Sequence, residues 1–285
     1  MTKNTKTVLL VFVLLLLLAA AALVFLPRSA QGDNPSLPDI DAPSRPSRDD
    51  GTGSSSSGGA EKAGLTLYSN SASKDVRGDD GRLLATVSGT VPAVKNPSEG
   101  GAVIDAFYAD LLTQYVENAA LTLQDSAASD ERFSEEDFTH YAAELTARVE
   151  RNDGVYLSVV CEMYEFTGGV HGNLALRSDT FLAATGERVG LYDLFAVGEA
   201  EYLPFLQEFL AAELSKQPDL YYENAPQQVA QLFDPAHFYL TDEGLTLYFQ
   251  MYDVAPYAAG VPTFTLPYSE LADLLRPEVY DALSA

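Results

Sequence analysis

The sequence predicts an α+β protein: a largely antiparallel sheet packed with helices, in two consecutive subdomains, preceded by a single transmembrane helix. Three observations predict it. Residues 8–26, VLLVFVLLLLLAAAALVFL, are apolar without interruption. Residues 27–64 are rich in proline, glycine and serine. From residue 65 onward, short runs of alternating apolar and polar residues, bounded by turn residues, interleave with longer runs at helical spacing.

The apolar run is long enough, at about 1.5 Å per residue, to cross nearly all of a ~30 Å hydrocarbon core. Lys3 and Lys6 precede it and only Arg28 follows closely. The positive-inside bias therefore makes residues 1–7 a cytoplasmic tail and puts everything after residue 26 outside. The alternative is a cleaved signal peptide with Ala30-Gln31-Gly32 at the cleavage site, although signal h-regions usually run only about 7–15 residues. The two readings give a single-pass protein of the cell membrane or a secreted one. Pro27, Pro35, Pro38, Pro43 and Pro46, followed by GTGSSSSGG over 51–59, make residues 27–64 a linker, stiff in its first part and flexible in its second.

In the folded part, 65–68 and 83–91 read as strands, with a polar loop over 69–80 between them. The second strand alternates Thr86, Ser88 and Thr90 with Ala85, Val87 and Val91. Asn96-Pro97-Ser98-Glu99 offers an N-cap, a proline at the first helical position and a glutamate at the third. Ile104, Phe107, Tyr108, Leu111, Leu112, Tyr115 and Val116 then repeat at helical spacing. A second helix is expected near Ser134, with Glu135, Glu136 and Asp137 in its first turn and Phe138, Tyr141, Ala142, Leu145 and Val149 as its apolar stripe. Asn152-Asp153-Gly154 is a turn. After it, Val155, Leu157, Val159, Cys161 and Met163 alternate with Tyr156, Ser158, Glu162 and Tyr164 in a long strand. Residues 173–184 are the next strand, and Leu203, Leu206, Leu210 and Leu214 mark a helix. Residues 238–240 and 245–251 form a hairpin around Asp242-Glu243-Gly244. A last strand, 263–266, precedes a short helix over 269–275.

The chain has 17 Lys+Arg against 41 Asp+Glu, a net charge of −24. Residues 65–285 hold 11 of those cations and 35 of the carboxylates, so the whole excess lies on the folded part. Too few cations remain for a phosphate-binding surface, which argues against nucleic acid. The single cysteine allows no intramolecular disulfide, and Cys161, on the apolar side of its strand, reads as a buried small hydrophobe.

The most unusual stretch is Gly168-Gly169-Val170-His171-Gly172-Asn173. Its glycines suggest a positive φ, at Gly169 or Gly172, or close approach of another backbone. It is a candidate binding loop with His171 as the polar contact, or a tight connection with a structural histidine. No helix start and no Lys-Ser/Thr pair follow, so it is not a phosphate loop. Tyr252-Asp253-Val254-Ala255-Pro256-Tyr257 is an aromatic loop between strands, of the kind that anchors interfaces or packs into a core. The candidate ligand-binding residues are therefore Gly168, Gly169, His171, Gly172, Asn173, Tyr252, Asp253, Pro256 and Tyr257. His140 with Glu144 on the expected second helix reads as a solvated face, since HExxH is absent, and His237 reads as structural. No Gly-x-Ser-x-Gly elbow is present. Arg77-Gly78-Asp79 matches an adhesion tripeptide of a length that recurs by chance. No catalytic residue, cofactor or metal is expected.

The segment from Tyr164 through GGVHGN, then LYDLF at 191–195, then FYLTDEGLTLYFQMYDVAPYAAGVPTFTLPYSEL at 238–271, resembles the paired extracytoplasmic domains of RsiV-like proteins. There a PdaC-type (deacetylase-associated) domain precedes a domain of unknown function. The resemblance runs over about 65–275 and implies a PdaC-type subdomain at 65–167 and an RsiV-like subdomain at 168–285. It also implies two precedents. RsiV-like anti-sigma factors use this region as a lysozyme receptor, whereas PdaC-like enzymes carry it beside a deacetylase domain. Seven residues on the cytoplasmic side are too few to hold a sigma factor, and no TFDDGP-type segment is present. The expectation is thus a membrane-anchored, non-catalytic binding module of the cell envelope, with lysozyme as partner and peptidoglycan as the alternative. A cell-wall hydrolase or deacetylase is the enzymatic rival.

Overall fold

The computed structural model describes residues 63–130, 132 and 140–285. The expected tail, apolar run and nearly all of the linker lie outside the described residues, as do Ser134, Glu135, Glu136, Asp137 and Phe138. Among the described residues, no helix is long and apolar enough to cross a membrane.

The chain begins with an antiparallel pair, β1 (Leu67–Arg77) and β2 (Leu83–Val94). β1 thus occupies most of the stretch expected to be a loop, and Arg77-Gly78-Asp79 lies where the strand turns into its hairpin. Alternation of serines with Ala72, Lys74 and Val76 suits a strand as well as a polar loop. The long helix α1 (Glu99–Ala128) follows. Its N-cap is Ser98, whose Oγ accepts the Gly101 N–H at 3.2 Å, rather than Asn96. Ile104, Tyr108, Leu112, Val116 and Ala120, each four residues apart, give α1 one buried stripe that packs on β2 and β1.

β3 (Tyr141–Asn152) replaces the expected second helix, and His140 stands just before it instead of on a helical face. Tyr141 and Leu145, four residues apart, fit both a helical stripe and one side of a strand. What decides is pairing on both flanks, with β2 on one side and β4 (Tyr156–Phe166) on the other. Because α1 is a crossover that returns the chain to its starting end, β2 and β3 run parallel. The five-stranded sheet, in order β1-β2-β3-β4-β5, with β5 at Asn173–Leu182, is therefore mixed: one parallel pairing, β2 with β3, stands among three antiparallel ones. β4 and β5 pair from Tyr156↔Leu182 to Glu165↔Asn173, so this sheet runs across the subdomain boundary expected at 167/168.

The face toward α1 carries the first core, including Val87, Leu145, Leu157, Val159, Cys161 and Met163. Cys161 is fully buried, and that burial pushes its thiol up to about 12. The second core belongs to α2 (Leu191–Leu194), α3 (Glu199–Ser215), α4 (Ala225–Leu232), the three-stranded antiparallel sheet β6 (Phe238–Leu240), β7 (Gly244–Tyr248) and β8 (Thr263–Pro267), and α5 (Pro277–Leu283). The segment expected to form a helix over 269–275 instead contains a 3-10 turn, Tyr268–Glu270, and the helix comes later, at α5.

The small sheet packs on the other face of β4 and β5. Val160 and Leu176 meet Tyr239 and Tyr248 there. Ser158 Oγ accepts the Leu240 N–H at 3.0 Å and is hydrogen-bonded to Thr180 Oγ1 at 2.8 Å. This explains why β4 is buried on both faces while its polar residues Ser158 and Glu162 face away from α1. Arg151, at the end of β3, adds a second tie. Its guanidinium is buried against Asp153, donates to Thr241 O at 2.9 Å and reaches Ala282 O and Leu283 O at 3.3 Å.

Candidate functional site

The glycine loop leaves β4 at Phe166 and enters β5 at Asn173. Gly168 has φ of 78° and Gly169 of 127°, so the expected positive φ falls on Gly169 and on Gly168 as well. Gly172 serves a different need. A Cβ there would lie 2.1 Å from Tyr164 Cε2, so the absent side chain is what lets the loop close over that ring. Between the glycines, Val170 is 100% exposed and His171 is exposed.

The second loop leaves β7 at Tyr248. Gln250 anchors it to the large sheet: its Oε1 accepts the Leu176 N–H at 2.9 Å and its Nε2 donates to Leu176 O at 2.7 Å. Asp253 accepts the Gln250 N–H at 2.8 Å, and burial pushes its carboxyl above the usual range. Asp253 thus ties the turn rather than presenting a surface charge. That turn holds Tyr252 at φ 70° with 46% of its surface exposed. Val254 and Ala255 are buried, Pro256 is exposed, and Tyr257 opens a 3-10 turn, Tyr257–Ala259.

The two loops meet. The His171 and Tyr257 rings stack with centroids 3.8 Å apart and an interplanar angle of 19°. Tyr252 lies 6.3 Å from Tyr257, tilted by 35°. His171 Nδ1 is 2.9 Å from Gly172 O; a carbonyl only accepts, so Nδ1 carries the proton and Nε2 is the acceptor of the neutral ring.

Sequence reasoning missed a third contributor. The Tyr222 N–H donates to Val254 O at 2.9 Å, which fixes the 217–224 segment beside the tyrosine loop. Leu220 and Tyr222 are 38% and 39% exposed there, and Asp219 and Glu223 next to them are exposed too. The adjacent tyrosines Tyr221-Tyr222, one turned inward onto Phe264 and one outward, were the available signal. His237 belongs to the packing between the sheets: it stacks on Tyr248 at 4.8 Å, and burial lowers its pKa. Among the described residues, no group of three or more His, Cys, Asp or Glu could hold a metal ion.

Comparison with known proteins bears on the C-terminal half through sequence and on most of the chain through fold. The signature of the family described as "Protein of unknown function (DUF3298)" matches residues 192–269. A crystal structure of a DUF3298 family member from Bacteroides fragilis superposes with a TM-score of 0.57 at 18% identity, covering 79% of this chain and 100% of that one. A DUF3298 family protein from Pseudomonas aeruginosa gives 0.51 at 20% identity, covering 77% and 98%. At such identities the likeness speaks for the fold. No curated protein matches the chain.

Proposed function

We propose that the chain is a non-catalytic binding module of the cell envelope, held at the membrane by residues 8–26, and that it takes a basic protein of the lysozyme class. The observation that carries the proposal is the His171–Tyr257 stack, which joins two loops distant in sequence into one exposed aromatic surface. Tyrosine faces supply contact area at low entropy cost, and the acidic surroundings favour a cationic partner. The Nε2 acceptor of His171 and the exposed carboxylates of Asp219 and Glu223 suit lysine and arginine donors. The RsiV-like resemblance supplies the partner's name.

Titration of the purified protein with lysozyme, followed by surface-immobilised kinetics, tests this. Saturable binding at physiological salt is expected, with Tyr257→Ala raising the off-rate about tenfold or more, as loss of an interface anchor does. Absence of binding at low salt overturns it. In that case the exposed Tyr252 ring, suited to stacking on a sugar, puts peptidoglycan forward, and sedimentation with insoluble peptidoglycan decides.

A further inference from the structure

The five-stranded sheet has two edges, and they differ. At β5 the edge is occupied: Gln250 bonds both backbone groups of Leu176, the Val189 N–H donates to Thr180 O, and the Leu182 N–H donates to Glu187 O. At the other edge, among the described residues, β1 pairs only with β2 along its eleven residues. A long strand with one row of backbone donors and acceptors unmatched is a template for strand addition.

We infer that β1 is a self-association edge, through which two copies of this chain join their sheets by antiparallel β1–β1 pairing about a two-fold axis at Ala72. The strand's sequence argues for a second copy. Its charges, Lys74, Asp75 and Arg77, all lie in its second half, and residues 67–70 are uncharged. Pairing about Ala72 sets Lys74 against Asn70, Asp75 against Ser69 and Arg77 against Leu67, so no like charges face each other. The centre is Ser71-Ala72-Ser73, small enough for two strands to meet without crowding.

The flanks argue the same way. Ala72, Lys74 and Val76 share the face toward α1 by alternation, and Lys74 bridges Glu117 on that helix. The Val94 N–H, in the residue paired with Leu67, donates to Asp105. β1 and α1 therefore run in the same direction, and Leu121, one turn past Glu117, stands beside the Val76 end. Tyr68 at one end of the edge is 55% exposed and Leu121 at the other is 58% exposed. Two-fold pairing sets Tyr68 of each copy opposite Val76 of the other, at the end where Leu121 stands, so that both exposed apolar groups come to lie at the joint, twice over.

Cysteine cross-linking of the full chain in detergent micelles reads the register directly, because the one natural cysteine, Cys161, is buried. Ala72→Cys should oxidise to a disulfide-linked dimer. Asn70→Cys should not, since its thiols would lie about 13 Å apart in the pairing. Mixed Asn70→Cys and Lys74→Cys chains should cross-link to each other. Leu121→Glu, on an exposed position, should raise the dimer dissociation constant about tenfold or more. Tyr257→Ala should leave association unchanged, which separates this interface from the lysozyme site. A chain that stays monomeric by light scattering at high concentration overturns the inference. So does cross-linking at Asn70→Cys as fast as at Ala72→Cys, which would mean collision without register. Should Ala72→Cys fail to fold, the mixed pair and Leu121→Glu still decide.

Discussion

An alanine at Gly172 meets the Tyr164 ring, whereas an alanine at Gly169 meets nothing within 4 Å and suffers only from its φ of 127°. Both substitutions should destabilise, by about 1–3 kcal/mol each, one through overlap and one through backbone strain. Urea unfolding of the single variants and of their combinations with Tyr164→Ala distinguishes the causes. A clear coupling energy is expected for Gly172→Ala with Tyr164→Ala, and none for Gly169→Ala. Glu165, one residue beyond Tyr164, faces α1, and burial pushes its carboxyl up from 4.5 to about 7. The folded state thus keeps a proton that the unfolded chain sheds. The stability associated with it is full below about pH 4.5 and is lost as pH rises through 7, by on the order of 3 kcal/mol. Glu165→Gln should flatten that loss; an unchanged pH profile of the thermal midpoint would show that the carboxyl is ionised throughout. At this scale the candidate loops were legible, because three glycines around a histidine and a Tyr-rich turn are local signals. Their stacking was not, since 171 and 257 are brought together by the bonds of Gln250, after β7, to Leu176 of β5, a contact no spacing encodes.

α1 was legible because its stripe is long and its cap adjoins it, though the cap, Ser98, is two residues later than the Asn-Pro-Ser-Glu pattern suggests. β3 was not, since Ala, Glu and Leu at 142–145 suit either period and one of its two neighbours in the sheet, β2, comes from distant sequence across α1. α4 and α5 were missed for their shortness: each is held by the second core rather than by its own periodicity. α5 in particular depends on Arg151, whose guanidinium reaches the last carbonyls of the helix, Thr241 O and the Tyr268 ring together. Arg151→Met should therefore cost about 2–4 kcal/mol, leaving Asp153 without its counter-charge and the Ala282 and Leu283 carbonyls without the guanidinium donor. Arg151→Lys should recover only a minor part, because a point charge cannot serve several directions at once. Carboxypeptidase digestion should release the C-terminus of the Met variant faster than global unfolding predicts. Equal protection in both variants and the parent would mean that α5 is held by packing alone.

Over the whole molecule, 35 carboxylates against 11 cations in residues 65–285 set up a field that would act with opposite sign on the two proposed interfaces. A basic partner is drawn in by it. With a Debye length of about 8 Å at physiological ionic strength, the attraction is largely screened beyond contact range and should appear in the encounter step. The on-rate for lysozyme should therefore fall steeply as salt rises. The off-rate should change little if, as proposed, it reports desolvated contacts at Tyr257 and the glycine loop. Asp219→Asn with Glu223→Gln should lower the on-rate and its salt slope, while Tyr257→Ala changes the off-rate and leaves the slope alone. Two copies of the chain repel through the same field, so pairing along β1 should strengthen over the salt range in which lysozyme binding weakens. Kinetics and light scattering in one salt series read both. If the two equilibria move in the same direction with salt, long-range charge governs neither in the way argued, and an off-rate that tracks the on-rate would reduce the lysozyme contact to nonspecific attraction.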